Sequence, residues 1–410
     1  MNRHLNTSSI LLLDSTDTGN KGRQQKQLSR IIKFLSKNKD AVTIPELANE
    51  VNISVPTATN YIEELLHSKW VMEGGFKETG SGRKPILYSL NKDKLYTVGL
   101  RIDLSKLQLV ISRIDFSLVY EVIEDDFIVE NTPSCLEHVV QFVERTIKDA
   151  GVDRSKIAGI GIGITGRVNS KTGESFSYFN FMEVPLKQYL KDALKLEVLV
   201  GNDTRTAGFS ELAQDKEKGK RNSLFVNVSQ GLGMSMMFNG KVISGETGFA
   251  GEFGHMQFGR KERLCVCGKR GCLGTEVSGY GLLQDLIEAI ESKESSIFFE
   301  NSKIEEYHYK DVFKAANQGD VLSITLLQRI GVLLGEALGN LINLLNPGVI
   351  VIGGEFLIVK EIFIDAVNIG LKKTALVNPL KQCTIVSSVL GTEAFAKGAA
   401  AMVLKHHDLV

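Results

Sequence analysis

Apolar and polar positions along the chain fall into two regimes. From about Gln24 the apolar residues recur at helical spacing, and Leu28, Ile31, Ile32 and Leu35 share one face. Thr43-Ile-Pro-Glu opens a second helix: Thr43 can cap it, Glu46 stands at capping-box distance, and Pro45 suits the first turn. After the break Asn52-Ile53-Ser54, a third helix is predicted with Ser54 as N-cap. Ala58, Ile62 and Leu65 form its buried stripe, while Thr57, Thr59, Asn60 and Glu63 lie off it. Two segments follow, Trp70–Lys77 and Ile86–Leu90, which read as strands around the Gly-rich basic tip Gly80-Ser-Gly-Arg-Lys-Pro85.

From Leu95 the texture changes. Strand-like apolar runs at Tyr96–Ile102, Leu107–Ile114, Ile157–Ile164, Val198–Val200, Ser223–Val228 and Val349–Gly353 alternate with helical patterns such as Leu136–Asp149, Gly281–Ile290 and Ile324–Leu345. That alternation predicts an α/β architecture large enough for two lobes. The expected organisation is a flexible arm at 1–23, a winged helix-turn-helix at 24–92, a first α/β lobe at 93–205 joined by a C-terminal helix at 392–410, and a second lobe at 206–391.

Two short helices joined by a tight turn, the second with small polar residues on its free face, suit the major groove. Thr57, Thr59 and Asn60 are the candidate base-edge or phosphate contacts. In the wing, Arg83 and Lys84 could enter a minor groove or grip the backbone. A small helical bundle without a ligand explains the helices alone, but not the wing after them.

Charge adds a little to this. The 410 residues carry no formal net charge, yet residues 1–90 hold twelve basic and nine acidic residues, and Lys21–Lys39 holds seven basic residues and no acidic one. Such an N-terminal surface tolerates phosphates. The apolar run Ile10–Leu13 is far too short to span a bilayer, so no membrane insertion is expected and the reading is cytoplasmic.

Three of the five cysteines, Cys265, Cys267 and Cys272, fall within eight residues, and His255 stands ten residues before the first. Three thiolates and one imidazole close a tetrahedral shell, so one structural Zn²⁺ per chain is expected. Just upstream, Gly245–His255 is a loop of small residues in which Glu252 can accept hydrogen bonds from hydroxyls. Val200-Gly-Asn-Asp203 ends a strand and enters a helix. Asp203 there is a candidate general base, and a plain helix cap by Asn202 or Asp203 explains the segment equally well.

Together these residues resemble the ROK family of repressors, open reading frames and kinases. The block Ala250-Gly-Glu-Phe-Gly-His255 followed by Cys265-Val-Cys-Gly-Lys-Arg-Gly-Cys272-Leu273 carries the resemblance, which extends to Ala400. It implies an actin-like, sugar-kinase-like (ribonuclease H-like) two-lobed domain behind the winged helix-turn-helix. It implies ligand contacts at Gly166, Asn202, Asp203, Glu252 and His255, with Asp203 at the kinase base position. It further implies a homodimer or homotetramer on a double-stranded DNA operator, a sugar or sugar-phosphate effector between the lobes, and sometimes a protein partner.

Two departures shape the functional expectation. Kinase members carry Asp-x-Gly-Gly-Thr where this chain has Asp103-Leu-Ser-Lys-Leu107, so side chains at Leu104, Ser105 and Lys106 stand where ATP phosphates would approach. Gly274 occupies the position of a sugar-binding Glu, with Glu276 two residues on. The expectation is a sugar-responsive repressor of carbohydrate metabolism, in the N-acetylglucosamine and xylose repressor branch, without kinase activity and with Asp203 as a vestigial base. The alternatives are an ATP-dependent hexose kinase and a regulator controlled by a protein partner.

Overall fold

The computed structural model describes residues 20–38, 40–77, 84–213, 222–299, 306–391 and 393–409. The chain divides into two compact units, with the divisions at Asp203/Thr204 and Phe395/Ala396.

The first unit opens with three helices, α1 (Asn20–Lys37), α2 (Ile44–Glu50) and α3 (Val55–His67). Thr43 caps α2 through a reciprocal capping box with Glu46, and the Ser54 side chain accepts from the Thr57 amide to cap α3. Strands β1 (Val71–Phe76) and β2 (Ile86–Leu90) pair antiparallel, Val71 opposite Leu90, and form the wing. Leu28, Ile31, Ile32, Leu35, Leu47, Ala58, Ile62, Leu65 and Trp70 make one buried cluster beneath these elements.

One boundary differs from the sequence reading. Helix α1 begins at Asn20, so residues 20–23 belong to it rather than to an arm. Apolar periodicity starts only at Leu28, whereas the polar Lys, Arg and Gln residues before it are good helix formers and extend the helix without a buried stripe. The rest of the expected arm, residues 1–19, lies outside the described residues.

A five-stranded sheet follows in the order β5-β4-β3-β6-β9. Its strands are β3 (Tyr96–Ile102), β4 (Leu107–Arg113), β5 (Leu118–Glu124), β6 (Ile157–Ile164) and β9 (Val198–Asn202). β3, β6 and β9 run parallel. Helices α4 (Pro133–Asp149) and α5 (Leu186–Leu194) cover one face through Phe142, Val143, Leu190 and Leu194. A short hairpin, β7 (Val168–Asn169) with β8 (Glu174–Ser175), follows β6.

The second unit repeats the strand arrangement, in the order β12-β11-β10-β13-β14. The chain enters it along α6 (Asp203–Ala213), then forms β10 (Ser223–Val228), β11 (Leu232–Phe238) and β12 (Lys241–Val242). Helices α7 (Gly279–Glu291), α8 (Tyr309–Asn317) and α9 (Val321–Leu345) precede β13 (Val349–Gly353). Then come α10 (Lys360–Thr374), α11 (Val377–Gln382), β14 (Thr384–Ser387) and α12 (Glu393–His406), which ends in the first unit. Helix α9 is long and apolar enough to cross a membrane by length and composition, but 67% of its most apolar window is buried. Leu326, Leu334, Leu338 and Ile342 place it in the unit's core.

Candidate functional site

Of the residues assigned to DNA reading, Asn60 is exposed on α3 and Lys84 is exposed at the foot of β2. Thr57 is half-buried with its hydroxyl 2.7 Å from that of Ser54, and Thr59 donates to the Val55 carbonyl at 3.0 Å. Both threonine hydroxyls therefore already have a local partner. Arg83 lies outside the described residues. An ion pair that sequence reasoning missed links Lys77, just past β1, to Glu46 of the α2 capping box. The Lys77 ammonium, helped by the Thr43 amide and hydroxyl, lowers the Glu46 carboxyl to about 2.

A second group of candidates gathers at one edge of the first unit's sheet. Ile102, Ile164 and Asn202 stand in register, so Asp103, Thr165-Gly166 and Asn202-Asp203 all leave the carboxyl ends of parallel strands. Open α/β sheets bind ligands at such ends. Asn202 Nδ2 donates to the Gly166 carbonyl at 2.9 Å and to Asp203 Oδ1 at 3.2 Å, tying three of the sequence-assigned residues together. Gly166 has φ +91°, and a Cβ there would stand 2.5 Å from that of Ser177, so the close turn requires glycine. The Tyr178 ring is 3.9 Å from the same point, and burial, with Asp103 nearby, pushes its hydroxyl pKa up. Sequence reasoning named neither Ser177 nor Tyr178, since eleven or twelve positions separate them from Gly166.

The Asp103–Leu107 turn is closed upon itself. Asp103 N–H donates to the Lys106 carbonyl at 3.0 Å, and Leu104 N–H donates to the Asp103 carboxylate at 2.8 Å. The other oxygen of that carboxylate pairs with Arg101 at 2.8 Å, and the Leu104 side chain packs on the core. Two backbone donors of this turn are thus already used.

The remaining candidates lie in the second unit. Glu252 Oε1 accepts from Arg205 at 2.8 Å, and Arg205 also donates to the Gly248 carbonyl, which fixes the loop before His255. The second Glu252 oxygen lies 3.9 Å from His255 Nε2. The opposite ring nitrogen, Nδ1, faces Cys265 Sγ at 3.5 Å, and Cys267 Sγ lies 3.7 Å from Cys272 Sγ. All four ligand atoms fall within 4.8 Å of one another.

Zinc bonds of about 2.3 Å to sulfur and about 2.0 Å to nitrogen give tetrahedral edges of roughly 3.8 Å between sulfurs and 3.5 Å between sulfur and nitrogen. The His255–Cys265 and Cys267–Cys272 separations match those edges. Burial pushes the Cys272 thiol up to about 12, with Cys267 and Cys265 adding to the shift; a bound cation would act in the opposite direction, by holding the thiolate form.

The turn that carries these ligands is anchored from behind. Gly268 and Gly271 adopt positive φ, and Lys261 and Arg263 both pair with Asp285 and Glu288 of α7. Glu276 accepts from the Lys261 amide at 2.6 Å, so one oxygen of this carboxylate braces the loop before the cysteines. A Cβ on Gly274 would meet the Gly254 carbonyl at 3.1 Å.

Comparison with known proteins places this arrangement. The xylose repressor of Caldicellulosiruptor bescii is 24% identical over 384 residues, covering 92% of this chain and 96% of that protein. A glucokinase of Halalkalibacterium halodurans is 33% identical over 221 residues, covering 53% of this chain and 67% of that protein. The crystal structure of a ROK family transcriptional regulator, a homologue of the E. coli MLC protein, shares the fold with a TM-score of 0.79 at 24% identity, covering 94% of this chain and 97% of that one. Residues 100–406 match the ROK family model, and the chain belongs to the ROK family.

Proposed function

We propose that this protein is a sequence-specific DNA-binding repressor of carbohydrate genes that responds to a sugar or sugar phosphate. The observation that carries the reading is the capped α1–α3 bundle and wing placed ahead of a ROK domain, with a named xylose repressor matching along 92% of the chain. In this reading Asn60, Thr57 and Thr59 on α3 meet a major groove, while Arg83 and Lys84 meet the backbone or minor groove. Two copies of the chain or more would present the paired heads to a pseudo-palindrome.

Gly166, Asn202, Asp203, Glu252 and His255 form the effector-binding set. Hydroxyl-rich ligands suit them, because the carboxylates accept from hydroxyls and the Asn202 amide both accepts and donates. His255 and Cys265, Cys267 and Cys272 hold a structural Zn²⁺, which leaves no open coordination position and orders the loop that carries Glu252. A ligand that binds one arrangement of the protein more tightly shifts its operator affinity by that difference.

A sugar kinase is the second reading, favoured by the glucokinase relative and by Asp203 at the mouth of α6. Against it stands the Asp103 turn, whose Asp103 and Leu104 amides are used locally and whose Leu104 is packed inward. Two assays separate the readings. Thermal-shift measurements with D-xylose, D-glucose and N-acetyl-D-glucosamine should stabilise the protein with at least one sugar. ADP release with the same sugars and MgATP should stay at background. Sugar-dependent turnover abolished by Asp203→Asn would establish the kinase instead, and a protein partner becomes the effector if no sugar stabilises the chain.

A further inference from the structure

The end of the chain packs into the DNA-reading head. Val403, Leu404 and Leu409 are buried in the same apolar cluster as Leu28, Ile31, Ile32, Leu35 and Trp70. After α12, Asp408 takes a left-handed conformation with φ +52°, and the Leu409 amide returns to the Leu404 carbonyl at 2.9 Å. That reversal turns Leu409 into the cluster. The fully buried Ser29 of α1 donates to the Asp408 carbonyl, and Lys33, one turn further along α1, pairs with the Asp408 carboxylate at 2.6 Å.

The middle of α12 lies on the sheet whose edge carries the effector candidates. A Cβ on Gly99 of β3 would overlap the Ala396 carbonyl, and one on Gly161 of β6 would overlap that of Ala399. Helix and strand backbones therefore touch directly there, with no side chains between them to absorb a displacement. β3 and β6 are the strands that end at Asp103 and Gly166.

We propose that Asp408 and Leu409 are positioning residues for DNA reading: they latch α1 to the end of α12, so that the pose of the head follows α12 and the strands beneath it. This inference rests on the DNA-binding reading above. Packing alone would make the latch a stabiliser of the head; direct backbone seating on β3 and β6 makes it a coupling element as well.

The sole tryptophan, Trp70, sits in the head cluster, so its fluorescence reports on that cluster. Leu409→Ser in the full chain is expected to lower the Trp70 unfolding midpoint and to weaken binding to a duplex selected by the wild-type protein at least tenfold, with zinc content unchanged. Lys33→Glu should shift both in the same direction by a smaller factor, and Lys33→Glu with Asp408→Lys should restore duplex affinity, which a merely space-filling tail would not do. A wild-type Trp70 transition and wild-type affinity in Leu409→Ser would overturn the latch, as would a charge swap that recovers nothing. The Trp70 readout needs no DNA, so a full chain that selects no duplex sinks the DNA-binding reading separately.

Discussion

Glu252 and His255 face each other across 3.9 Å, carboxylate oxygen to Nε2, while the other nitrogen of the ring points at Cys265. A histidine ligand is oriented by what its distal nitrogen meets. The proposed sugar carboxylate is thus also the outer partner of the proposed metal ligand. Chelating the metal is therefore expected to weaken sugar-induced stabilisation as well as lower the melting temperature. Elemental analysis should find about one Zn per chain, and Cys265→Ser should lose it. A metal-free protein with unchanged melting and unchanged sugar response would contradict the assignment.

The head carries its own pH dependence. Glu46 is held at about 2 by Lys77 first and by Thr43 next. Its carboxyl is depressed in the folded state, so the stability it contributes is present above the ordinary carboxylate pKa of about 4.5. That contribution is lost as pH falls from there through about 2. Both side chains are close to half exposed, which keeps the contribution small. Glu46→Gln should therefore unfold with a Trp70 midpoint that changes less between pH 6 and pH 3 than the wild type's.

Base reading and backbone gripping separate by salt. Asn60→Ala is expected to relax discrimination at one base position by about 1–3 kcal/mol. Lys84→Ala should weaken all duplexes alike and lower the slope of log affinity against log salt by about 1. Anisotropy titrations at several salt concentrations measure both. Equal loss on every sequence for Asn60→Ala would remove it from the reading face.

The fold was most legible where burial is continuous. β3, β6, β10 and β13 are buried along their whole length and mostly apolar, and the sequence bounds match the structure. β5 escaped because its residues are half exposed and mix Glu with Val and Tyr, whereas the helix expected at 392–410 is present as α12, Glu393–His406. The four candidate sulfur and nitrogen ligands could be picked out because they are close in sequence. Pairings such as Arg205 with Glu252, 47 positions apart, and Ser29 with Asp408, 379 apart, depend on topology that local pattern does not encode.

Asp203 offers a further check. It is buried and bonded to Asn202, within reach of ligands at the strand ends. Asp203→Asn should reduce the thermal shift produced by the stabilising sugar, by about 1–3 kcal/mol of binding energy if a hydroxyl loses its acceptor. The background rate of ADP release should not change.

Selection from random duplexes at physiological salt, read by sequencing the bound fraction, is the most direct test of the whole account. A sugar-responsive ROK repressor should enrich a pseudo-palindrome with half-sites about one helical turn apart or a multiple of it, and the stabilising sugar should change its retention. A bound pool as random as the input would contradict the account.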